Sequence, residues 1–285
     1  MADVDLRPMT LGEVLDRTFK LYKSHFLLFA GITAVPALAL LVVQLISSWM
    51  QTETARLVQS RGSSAGFSSF FFGALAGIVL FGIIYLLLLG YAQAATVFAV
   101  SDLYLGRTPT IGGSYKRVGA KAFRVLLVLI LVALAVGVGF ILLIIPGFIL
   151  LCRTAVSVPA SMLEDSKSIR SIERSMELTK GHAFQIFVIF LLVWCLSYGV
   201  AIIFQVPFMM AAVDAAKNHQ TLSFGIQFLQ HLAGFISQVL VGPIATIALS
   251  LMYYNLRVRK EAFDIQHLMT TLGPDTAAPN APSVA

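Results

Sequence analysis

Six apolar runs, separated by short polar stretches, dominate the pattern along the chain. They extend from Phe26 to about Ser47, Phe70 to about Val100, Ala122 to Ile145, Phe148 to about Met162, Ala183 to about Val213, and about Ile226 to Asn255. A helix needs about 20 apolar residues to cross the hydrocarbon core of a bilayer. None of the runs alternates polar with apolar positions, as membrane-spanning strands do. The pattern predicts an all-α fold, a polytopic membrane helix bundle with about six transmembrane helices. Pro146-Gly147 is expected to form a tight turn between the third and fourth spans. Pro36, Pro207 and Pro243 are expected to kink their helices.

The polar stretches have a helical pattern of their own. Thr10 and Glu13 have the spacing of a capping box. After them Leu11, Leu15, Phe19, Tyr22 and Phe26 recur at helical spacing, with Glu13, Asp16, Arg17 and Lys20 on the other side. Around residue 170, Ile169, Ile172, Met176 and Thr179 line one side, and Arg170, Glu173, Arg174 and Glu177 the other. Such helices can lie at headgroup level or dock under their own bundle.

The two stretches also match each other. Residues 15–25 (LDRTFKLYKSH) correspond to 172–182 (IERSMELTKGH) at a shift of 157. A fainter copy places Ser114-Tyr115-Lys116-Arg117 against Ser171-Ile172-Glu173-Arg174. The economical organisation is three parallel units, about 9–105, 108–163 and 166–260, each an amphipathic helix followed by a transmembrane hairpin. Together they would make one membrane domain, 1–268. The tail at 269–285, rich in Pro and Ala, is expected to be disordered.

Composition supports lipid as the solvent. Only 12% of residues are charged, 58% are hydrophobic, and mean hydropathy is +0.86. The net charge of +6 does not point to nucleic acid, because the basic residues flank the apolar runs. Sixteen Lys and Arg lie in one set of alternate segments and three in the other. By the positive-inside bias, both termini are cytoplasmic. No secretory signal is apparent. Cys152 and Cys195 lie inside apolar runs and read as small buried hydrophobes.

Catalytic chemistry finds little support. There is no H-E-x-x-H, G-x-S-x-G or phosphate loop, and the acids lie mostly among basic residues near the expected membrane edge. No catalytic residue, metal ligand or cofactor is expected. Arg153 stands out, since ionisable groups within spans are costly and often functional. With Gln93, Gln205 and Gln238 it forms a candidate intramembrane polar site; Gln44 and Gln185 are further intramembrane amides. The alternative for Arg153 is structural pairing or snorkelling, and for the amides, hydrogen bonding between helices. Arg17, Lys23, His25, Arg174, Lys180 and His182 are candidate interfacial positions on the cytoplasmic side. His25 and His182 occupy matching places in the repeat and read as interfacial anchors.

Three segments resemble a bacterial family of multi-pass proteins named after the glycerophosphoryl diester phosphodiesterase membrane domain. They are LRPMTLGEVLDRTFKLYKSHF at 6–26, PGFILLCRTAVSVPASMLEDSKSIRSIERSMELTKGH at 146–182 and YYNLRVRKEAFDIQHL at 253–268. The resemblance implies a six-helix unit in the bacterial plasma (inner) membrane. It does not carry over the phosphodiesterase activity, because the catalytic barrel of the fused members is not within this sequence. The leading expectation is a non-enzymatic membrane protein supporting assembly, export or envelope organisation. Its expected partners are membrane lipids and other membrane proteins. The alternative is a transporter or lipid-handling protein with a polar path near Arg153.

Overall fold

Prolines and caps set the helix boundaries. The structure is a computed structural model that describes residues 8–61, 67–164, 167–217 and 223–261, with side chains described for 8–50, 77, 80–164, 167–215, 217 and 223–261. The tail at 269–285, and His219 and His267, lie outside these residues. Among the described residues the regular elements are helices: α1 (Leu11–Ser24), α2 (Phe26–Arg61), α3 (Phe67–Tyr104), α4 (Ile111–Gly119), α5 (Ala122–Leu142), α6 (Ile144–Thr154), α7 (Ser157–Leu163), α8 (Ser168–Thr179), α9 (Ala183–Lys217) and α10 (Phe224–Glu261). Six stretches are long and apolar enough to cross a membrane, with α6 and α7 together making the fourth.

The capping box of α1 is formed, with Glu13 N donating to Thr10 Oγ1 at 3.4 Å and Thr10 N donating to Glu13 Oε2 at 2.6 Å. At the end of α3, Gly106 takes φ 73°, and Arg107 N donates to Asp102 O at 2.8 Å. This is the left-handed stop that glycine permits.

The turn between the third and fourth spans corrects the sequence expectation. Pro146-Gly147 is not the turn. The reversal is made by Leu143 in extended conformation, and Pro146 stands in the first turn of α6. A proline there loses no helical bond, while its ring would clash with the carbonyl of Leu142, four residues earlier, where α5 ends. The same reason places the break between α6 and α7. Pro159 opposes the carbonyl of Ala155, and the chain turns at Ala155-Val156. By contrast, α2, α9 and α10 are continuous through Pro36, Pro207 and Pro243.

α1, α4 and α8 gather at one end of the bundle as a collar around the ends of α3 and α10. The core sits there. Residues 94–100 of α3 are at most 2% exposed, and Ile247, Ala248, Leu251, Met252, Tyr253 and Leu256 of α10 are fully buried. Away from the collar the spans are open: within an apolar 18-residue stretch of α5 and of α9, 17% and 11% of residues are buried. Water forces apolar side chains together, whereas lipid exerts no such force between helices. An open bundle of apolar spans above a tightly packed collar is the expected outcome.

The buried faces of the collar helices coincide only in part with the stripes read in the sequence: Leu11, Leu15 and Tyr22 of α1 pack against the core and Thr179 of α8 is buried, but the most buried positions lie beside them. α1 turns Val14 and Thr18 inward and leaves Phe19 49% exposed. α8 buries Ser168, Ser171, Ser175, Leu178 and Thr179, and leaves Ile169 65% exposed. Small side chains let the helices approach closely, while Phe19 and Ile169 remain outside, as do Leu27, Phe123 and Phe184 at the starts of the spans.

Candidate functional site

The break in the fourth span creates the first polar site. The last carbonyls of a helix have no partner within it, and Pro159 leaves those of α6 in this state. Ser175 Oγ and Thr179 Oγ1 of α8 donate to Arg153 O at 2.8 and 3.1 Å. In return Arg153 Nη2 donates to Met176 O at 3.3 Å, in the last turn of α8. A guanidinium at the negative end of a helix dipole is favourable. The two helices therefore cap each other. Arg153 Nε, Ser157 Oγ, Ser161 Oγ, Ser114 Oγ and His182 Nδ1 are buried without hydrogen bonds.

The second site is a ring of charges on the collar. Arg174 of α8 pairs with Glu164, after α7, at 3.2 Å, and with Glu261 of α10. Arg257 pairs with Glu261 at 3.0 Å and with Glu164 at 3.8 Å. Tyr253 Oη donates to Glu164 Oε1 at 2.8 Å. Charges of opposite sign alternate around the ring and tie α7, α8 and α10 together. Beside it lies a groove of about 520 Å³ lined by Glu164, Arg170, Glu173, Arg174 and Glu177.

The arginines that the sequence repeat aligns with Arg174 have comparable roles. Arg117 Nη1 of α4 donates to both carboxylate oxygens of Asp102, at 3.0 and 2.9 Å, and its guanidinium lies over the Phe98 ring. Arg17 of α1 lies 5.1 Å from the centre of the Tyr104 ring, which stacks on Tyr254. Each arginine fastens its short helix to the end of a span. A further clamp was not legible in the sequence. Asn255 of α10 accepts from Met9 N at 2.8 Å and donates to Met9 O at 3.0 Å, and Arg259 donates to the same carbonyl at 2.7 Å. Two phenols join collar helices to span carbonyls: Tyr22 donates to Leu240 O, and Tyr115 to Ile32 O. Burial raises the pKa of both.

The remaining interfacial candidates are more peripheral. Lys23 and Lys180 side chains are exposed. Lys180 O accepts from Lys260 Nζ at 3.1 Å. His25 Nδ1 lies 2.8 Å from Ser24 Oγ.

A third site lies among the spans. Gln44 and Gln238 line a cavity of about 200 Å³ between α2, α3 and α10, together with Ala37, Leu40, Leu41, Tyr85, Gly234 and Phe235. Arg153, Gln93 and Gln205 are not among its lining residues. The four candidates for one intramembrane site are thus distributed: Arg153 is bound to α8, Gln238 lines the cavity, Gln205 approaches Gly234 from α9, and Gln93 is half-buried on α3. Among the described residues no three of His, Cys, Asp and Glu converge as a metal site.

An all-α bundle with six apolar spans and a polar collar defines a multi-pass integral membrane protein. Compared with known protein families, with curated proteins and with solved structures, the chain matches none.

Proposed function

We propose that the protein is a non-enzymatic membrane scaffold whose collar is a docking platform for partner proteins in assembly, export or envelope organisation. The observation that carries this reading is the use made of the collar's charged groups. Arg17, Arg117, Arg153, Arg174, Arg257 and Arg259 each hold one helix against another helix or its flanking residues. The collar is thereby fixed, and the groove at Glu164, Arg170, Glu173, Arg174 and Glu177 presents both signs of charge outward. A rigid surface of mixed charge suits protein recognition, where charge pattern sets register and excludes wrong partners.

The collar faces the cytoplasm of a bacterial inner membrane in this reading. The excess of Lys and Arg in the collar segments supports that orientation, and the family resemblance supports the compartment. Three parallel units are supported by burial at aligned positions. In the pairs Val14/Thr18, Ser114/Val118 and Ser171/Ser175, Ser114 is 2% exposed and the other five are fully buried.

The test is affinity purification from gently solubilised membranes, comparing the natural chain with Arg170→Glu/Glu173→Lys/Glu177→Lys. A reproducible partner lost in the triple variant, with helicity and melting unchanged, is the expected result. A bundle that purifies alone under every condition contradicts the proposal.

A further inference from the structure

We infer that the cleft between α2, α3 and α10 binds an uncharged, hydrogen-bonding segment of a membrane amphiphile, such as an ester- or hydroxyl-bearing lipid. The inference does not depend on the docking role of the collar. It starts from two glutamines on the cleft, Gln44 half-buried and Gln238 exposed, that bond no other residue. Among the described residues, neither Gln44 nor Gln238 makes a hydrogen bond, although both line the same cavity of about 200 Å³. A third amide, Gln205, comes close to the same place: its Nε2 would lie 3.4 Å from a Cβ added at Gly234, in the cavity wall. An amide in hydrocarbon without a partner is costly.

Depth identifies the occupant. α2 enters its span at Phe26, and Ala37 to Gln44 lie about 16–27 Å further along it at 1.5 Å per residue. The hydrocarbon core is about 30 Å thick, so the cleft falls in the half of the bilayer away from the collar. The remaining lining is Ala37, Leu40, Leu41, Tyr85, Gly234 and Phe235, with no charged side chain. A charged headgroup would find no counter-ion there. A neutral carbonyl or hydroxyl can accept from or donate to the two amides, while its chain lies against Leu40, Leu41 and Phe235. The volume far exceeds the roughly 10–15 Å³ that one water needs.

The experiment uses the full chain in phosphatidylcholine nanodiscs with a diacylglycerol carrying a diazirine on its acyl chain. After irradiation, cross-links should concentrate at 37–44 and 234–238 and fall when unlabelled diacylglycerol competes. Gln44→Leu/Gln238→Leu should lower this labelling at least fivefold without lowering the melting temperature. The near-isosteric Gln238→Met should lower it by about half, and it keeps the test decisive should the double variant misfold. Labelling unchanged in a folded variant, or spread evenly over the outer faces of α5 and α9, would overturn the inference. So would reaction of Ala37→Cys, in a Cys195→Ser chain, with a membrane-impermeant maleimide, because that marks an aqueous crevice.

Discussion

Arg153 shows how an intramembrane charge acquires a structural role. Its position in an apolar run was legible in the sequence, and so was the choice between a polar path and local pairing. The partner was not, because Met176 O is a backbone atom of a distant helix, left free by that helix ending. Arg153→Met should cost about 1–3 kcal/mol, the scale of a charged hydrogen bond whose acceptor is left buried. Thr179→Val should destabilise as well, by exposing the need of Arg153 O for a donor. Thermal unfolding in detergent, followed by circular dichroism, measures both. An Arg153→Met chain as stable as the natural one would show that the mutual cap contributes nothing. The clamp of Asn255 on Met9 escaped notice for a similar reason: an asparagine in a polar helix end has no pattern that points to a backbone 246 residues away.

Among elements, the hairpin of α5 and α6 brings two backbones into close contact. A Cβ added at Gly147 would lie 2.6 Å from the Phe140 ring and 3.0 Å from Phe140 Cα, and one at Gly139 would lie 3.0 Å from Gly147 Cα. The helices touch through these two glycines. Gly147→Leu should therefore destabilise by about 3 kcal/mol through overpacking, whereas Gly137→Leu, where nothing lies within 4 Å, should be well tolerated. Equal melting temperatures for the two variants would contradict the packing described. The capping box of α1 and the starts of α5 and α9 were legible from spacing alone. The exact turn at Leu143 was not, since a proline marks the end of a helix four residues before itself as readily as a turn at its own position. The inward face of α8 was also hidden. Periodicity identified Ile169, Ile172, Met176 and Thr179 as the apolar side; Thr179 is buried, but close packing selected Ser168, Ser171, Ser175 and Leu178 in place of the other three.

For the molecule as a whole, the division between packed collar and open spans follows from two solvents. Apolar run length and low charge made six spans legible, because those properties are set by bilayer thickness. How the spans lean on one another left no comparable trace, since lipid accepts apolar side chains on every face. The distribution of Lys and Arg is the ground for the proposed cytoplasmic collar, on which the docking proposal rests. It is tested most directly with single cysteines at Thr108, Lys167, Ser63 and Gln220 in a Cys152→Ser/Cys195→Ser chain. These are treated in intact cells with a maleimide that crosses an outer membrane but not the inner one. The account predicts labelling at 63 and 220, and at 108 and 167 only after the inner membrane is permeabilised. Labelling at 108 or 167 in intact cells would contradict it.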